Sequence, residues 1–171
     1  ELDSNSSSES LYIDNVAIFE PVAGDDTAPA EITLISAVQG SREESALQGT
    51  EVTVEAVVTY VTDSGFFLQE EDADADGDAA TSEGLFIYTG SAPTVAVGDL
   101  VQATGLVAEY SGLTELTSVS DVTVLGSGTP LPTAATILLS PDTTQNYEAV
   151  EGMQVSVATR TAEALTIIEN Y

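Results

Sequence analysis

From Asp72 to Glu83 the chain reads DADADGDAATSE, which fits the pattern D-x-D-x-D-G-x5-E residue for residue. Asp72, Asp74 and Asp76 place carboxylates on alternate positions, and Gly77 permits a sharp turn. Asp78 would then offer its backbone carbonyl, and Glu83 would close the shell with both carboxylate oxygens. Calcium takes roughly six to eight hard oxygens, and a curled backbone supplies them in this order. Ala80 has no side-chain oxygen at the ninth position, which leaves room for a water. The alternative is a solvated acidic hairpin tip in a chain where chance D-x-D patterns are common.

Such a loop needs elements that hold its ends together. GFFLQ before it and GLFIYTG after it are rich in β-branched and aromatic residues and read as strands. The spacing therefore predicts a calcium loop between two strands, without the helix opening that calcium sensors use. The ion would be structural, held at about 10⁻⁴ to 10⁻³ M as in extracellular modules.

The wider composition narrows the chemistry. The 171 residues carry 29 Asp and Glu against 2 Lys and Arg, a formal net charge of -27. Nucleic-acid affinity comes largely from basic side chains that displace counterions from phosphates, and no basic patch exists here. Direct nucleic-acid binding is therefore expected only with a divalent bridge, and bound cations are the natural relief for self-repulsion. The chain has no His and no Cys, so disulfides, Cys/His zinc sites and histidine-based triads are excluded. No G-x-S-x-G elbow, Walker loop or Rossmann fingerprint appears, and surplus carboxylates make any glycosidase-like Glu-Asp pair uninformative. No apolar run is long enough to span a bilayer as a helix.

From Ile32 onward short strands alternate with glycine: ITLISAVQG, TEVTVEAVVTYV, GFFLQ, GLFIYTG, DLVQATGLVAEY, LTELTSV and DVTVLG, then MQVSVATRT and ALTIIENY. Val52, Val54, Ala56 and Val58 alternate with polar residues as a half-buried strand should, and Gly105 predicts a bulge or bend. Helical signals are confined to SREESALQG, with Ser41 and Glu44 at capping-box spacing, and to NYEAVEG. The reading is an all-β fold, a small OB-like Greek-key barrel with one or two short helices and an extra N-terminal strand.

TLISAVQG, GTEVTVEAVVT, GFFLQE, DGDAATSEGLFIYTG, VGDLVQATGLVAEYSGLTEL, VTVLGSG and YEAVEGMQVSV together resemble the OB-fold domain of secreted bacterial nucleases. In that family the domain lies upstream of an endonuclease/exonuclease/phosphatase domain. The resemblance implies a noncatalytic accessory module of an extracellular protein, with neighbouring domains in a longer chain. It does not imply a hydrolase, because that family's catalysis needs His residues that this chain does not contain. A similar acidic run occurs in the family's corresponding loop. The family's sequence also continues with further strand past LTIIENY, which implies a barrel here without its last strand.

Residues 1–31 form a separate segment, with a strand at 11–22 and an acidic linker, ahead of the barrel at 32–171. A lone strand such as LYIDNVAIFEPV must pair with something. Leu11, Tyr12, Ile13, Val16, Ile18 and Phe19 are candidates for donation to a second copy, giving a homo-oligomer or filament as the alternative function. Intramolecular packing, or membership of a preceding domain, is the competing reading. Asp14, Glu20, Asp25 and Asp26 follow no spacing rule and read as solvated linker charge. Phe66, Phe67, Phe86, Tyr88 and Tyr110 fit either a stacking platform for a ligand or, for most of them, core.

Overall fold

The computed structural model describes residues 31–139 and 147–159. Strand periodicity organises it. In β1 (Glu51–Val61) the inward Val54, Ala56 and Val58 are fully buried. In β2 (Gly65–Gln69) Phe66 and Leu68 point inward, as do Leu85 and Ile87 in β3 (Gly84–Tyr88). β4 (Leu100–Tyr110) contributes Val101, Ala103 and Val107, and β5 (Leu113–Gly126) contributes Leu116 to the same cluster.

These strands close into a barrel in the order β1-β2-β3-β5-β4. β1 pairs antiparallel with both β2 and β4, and closure comes where β3 runs parallel to β5, Phe86 opposite Glu115 and Ile87 opposite Leu116. This is an all-β, OB-like barrel. Its closure corrects the expectation of a missing strand: five strands complete the ring. The remaining strands among the described residues, β6 (Ala135–Leu139) and β7 (Val155–Thr159), pair parallel in a separate sheet. LTELTSV and DVTVLG are one continuous strand, bent where Ser118 takes a φ of 48°. The register of β4 on β5 shifts between Thr104 and Leu106, as Gly105 predicts; a Cβ there would sit 3.0 Å from the Thr117 carbonyl oxygen.

Two local expectations need correction. ITLISAVQG is not a strand: Ile32 makes a single bridge to Thr53, and Ile35–Gln39 is helix α1. Ile35 and Val38, three apart, both bury completely on one helix side. SREESALQG, in turn, is a series of turns. The Ser45 hydroxyl donates to the Val38 carbonyl and accepts the Leu47 N–H, while the Ser45 N–H donates to Glu109. These bonds displace the ladder a helix would need. NYEAVEG does contain one short 3-10 turn, Glu148–Val150.

Candidate functional site

The acidic loop spans 70–83, between the end of β2 and the start of β3. Its stem continues the strand pairing, with Glu70 N–H donating to the Glu83 carbonyl at 3.0 Å. Inside the loop, Glu83 Oε1 accepts the Asp76 N–H at 2.9 Å. Asp76 Oδ1 accepts the Asp78 N–H at 2.7 Å, and the Thr81 hydroxyl donates to both Asp76 oxygens. Asp78 Oδ1 accepts the Ala80 N–H at 2.9 Å, and Gly77 makes the turn with a φ of 73°.

Of the five residues predicted to hold calcium, the structure gathers Asp76, Asp78 and Glu83. Asp72 is turned elsewhere: its Oδ1 accepts the Thr133 N–H at 2.8 Å and its Oδ2 the Thr133 hydroxyl at 2.6 Å. Asp74 is exposed. Among the described residues no group of three or more Asp and Glu is arranged as a metal shell.

The electrostatics of the stem are unbalanced. Glu83 is 8% exposed, and its Oε2 is buried with no hydrogen-bond partner. Burial pushes its carboxyl above the usual range, although the Asp76 N–H opposes this. The negative charge of the nearby Asp76 pushes Glu83 the same way, and Asp76 is itself held low chiefly by the Asp78 N–H. Hydrogen bonds from Thr133 hold Asp72 low. An unpartnered carboxylate oxygen is a hard donor of the type a calcium ion takes, but the residues gathered here fall short of the roughly six to eight oxygens of a full shell.

Glu70 was not legible as part of this site. It is 3% exposed and accepts the Ile35 N–H at 2.7 Å, satisfying the first turn of α1, where Leu34 supplies no side-chain cap. Burial, together with the charges of Glu83, Asp74 and Glu71, pushes its carboxyl up to about 7 against that hydrogen bond. The available signal was parity, because Glu70 continues the inward series of Phe66 and Leu68.

The aromatic residues divide by face. Phe66 is core and Phe86 is also buried, although it faces away from the barrel interior; beside it Phe67 is half-buried and Tyr88 is exposed. Tyr110, opposite Leu113, stands at the exposed end of β4. The expectation that most of the five are core is thereby corrected. The predicted donor residues Leu11, Tyr12, Ile13, Val16, Ile18 and Phe19, and the acidic residues Asp14, Glu20, Asp25 and Asp26, lie outside the described residues.

Among the described residues no helix is long and apolar enough to cross a membrane. No family model matches the chain, and no curated protein matches it. Among solved structures it is similar to an OBody, AM1L10, bound to hen egg-white lysozyme, at 22% identity and a TM-score of 0.34, over 47% of this chain and 83% of that one. The OB-like architecture rests on the strand order and closure described above.

Proposed function

We propose that this chain is a noncatalytic OB-type module of a secreted bacterial protein, of the kind that accompanies extracellular nucleases, and that calcium orders its loop 70–83. The observation that carries the reading is Glu83, whose buried Oε2 lacks a partner beside the Asp76 carboxyl. Leaving such an oxygen unpaired is costly, and a cation removes the cost. Glu83, Asp76 and the Asp78 carbonyl would hold the ion; Asp74 would join them only by moving, and Asp72 only by giving up its bonds to Thr133. Calcium would supply charge neutralisation and loop order, with no catalytic step. The absence of His and Cys from the whole chain removes histidine- and cysteine-based catalysis.

Calorimetric titration with calcium and thermal melting test this. The expected result is a binding heat, a melting temperature that rises with calcium and falls with chelator, and loss of both responses in Glu83→Gln. No heat and a chelator-insensitive melting temperature would overturn it. Single-stranded DNA is expected to shift in a gel only with divalent cation present.

One observation favours the alternative of a self-assembling extracellular subunit. Among the described residues neither β6 nor β7 has a second strand neighbour, and Val155 and Val157 are exposed. Addition of the 11–22 strand from a second copy would cover such an edge. Size-exclusion chromatography distinguishes the two: this alternative gives chains of subunits, and the module gives monomers.

A further inference from the structure

A second site lies on the outer face, on the other side of β3 from the acidic loop's stem chemistry, and does not depend on the calcium reading. Tyr60, Phe67, Phe86 and Glu115 stand opposite one another across β1, β2, β3 and β5. Their rings form a continuous row, with centroids 6.4 Å apart for Tyr60 and Phe67 and 4.7 Å for Phe67 and Phe86. Gly65 makes this possible, since a Cβ there would come within 2.7 Å of the Phe86 ring.

The row ends in a cavity of about 520 Å³ lined by Phe86, Tyr88, Tyr110, Glu115, Ser64 and their neighbours. Tyr88 and Tyr110 are 43% and 69% exposed and form its outer walls. Glu115 is 7% exposed, lines the cavity, and receives no hydrogen bond on its carboxylate from the described residues. Burial and the nearby Glu109 charge hold it above the usual carboxylate range. Arg42 is the only Lys or Arg among the described residues, and it lies in the exposed turns after α1.

A carboxylate that accepts no hydrogen bond from the described residues and opens on a cavity walled by aromatic faces is complementary to an organic cation. Calcium is a poor match, because it needs several oxygens and the walls here are mostly rings. Phosphate is repelled by the charge of the chain, and a neutral sugar can hydrogen-bond the carboxylate but leaves its charge uncompensated. Guanidinium meets both demands: it is weakly hydrated, stacks flat on aromatic rings, and forks onto a carboxylate. A net charge of -27 also steers cationic partners toward the molecule. We propose that this cavity takes the guanidinium group of an arginine side chain presented by a cationic peptide or protein segment.

Titration calorimetry of the full chain at physiological salt, with a short arginine-containing peptide, its lysine counterpart and cellobiose, tests this. The arginine peptide is expected to bind at least about tenfold more tightly than the lysine peptide, with no heat from cellobiose. Glu115→Gln and Tyr110→Ala are each expected to weaken arginine-peptide binding by about tenfold, and the exposed control Glu51→Gln to leave it unchanged. Tyr110 is solvent-exposed, so its variant keeps the question open even if Glu115→Gln melts early. Equal losses in Glu51→Gln and Glu115→Gln, or equal affinity for the two peptides, would mean diffuse attraction to an acidic surface and would overturn the proposal. Cellobiose binding that Glu115→Gln removes would overturn it in favour of a sugar site. Calcium and chelator are expected to give the same arginine-peptide affinity, whatever becomes of the loop.

Discussion

Gly84 and Gly152 meet backbone to backbone. A Cβ on Gly152 would lie 3.0 Å from the Gly84 carbonyl carbon, and one on Gly84 would lie 2.6 Å from the Glu151 carbonyl oxygen. This contact seats the 3-10 segment on the barrel, where the Ser82 hydroxyl donates to the Glu151 carbonyl and the Gln154 N–H donates to Gln69. Gly84→Ala cannot be absorbed by a flexible side chain, because the obstructing atoms are backbone. It is expected to cost about 2 to 3 kcal/mol, read from the urea midpoint. An unchanged midpoint would show that the segment is not docked in this way.

The Glu70 carboxyl, at about 7 in the folded chain against 4.5 as its ordinary value, gives a signed pH dependence. It binds its proton more tightly when folded, so its contribution to stability is complete below 4.5 and is lost as pH rises through about 7. In chelator the denaturation midpoint is expected to fall across that window. Glu70→Gln keeps an oxygen for the Ile35 N–H and should flatten part of the fall. Identical pH profiles for the two proteins would contradict the assignment.

The barrel was legible because its strands carry a period of two, and Val54, Ala56 and Val58 read the same way in sequence and in the core. What periodicity does not encode is the partner of each strand. The β3–β5 closure through Phe86–Glu115 and Ile87–Leu116 joins segments that no local signal connects, and the resembled family, whose sequence continues past LTIIENY, pointed instead to a barrel lacking a strand. The acidic loop was legible as a long connection between two strands, whereas the gathering of its five acidic residues was not, since Asp76, Asp78 and Glu83 come together without Asp72 and Asp74. The diversion of Asp72 was not, because it depends on Thr133, 61 residues away. SREESALQG misled because Ser41 and Glu44 satisfy a capping rule while Ser45 spends its bonds on Val38, Leu47 and Glu109.

Phe66 and Phe67 are adjacent in sequence and opposite in role. Phe66 is fully buried in the barrel interior, and Phe67 lies in tilted ring contact with Tyr60 on one side and Phe86 on the other, on the outward face. Phe66→Ala is expected to cost about 3 to 5 kcal/mol through the cavity it leaves. Phe67→Ala forfeits partial burial and two ring contacts, about 1 to 2 kcal/mol. Chemical denaturation of both variants checks the register, and a larger loss at Phe67 would place the wrong face inward.

Asp72 joins the acidic loop to the segment ahead of β6, since both its oxygens accept hydrogen bonds from Thr133. Asp72→Ala is expected to accelerate hydrogen exchange at the Thr133 amide, which loses its acceptor. Thr133→Val removes only the hydroxyl bond and should leave that amide protected. The same pair separates tethering from ion binding: calcium heat should weaken in Asp72→Ala, where a candidate ligand is gone, and persist in Thr133→Val. Equal weakening in both variants would mean that the tether to Thr133, and not the Asp72 carboxylate as a ligand, governs the loop's response to calcium.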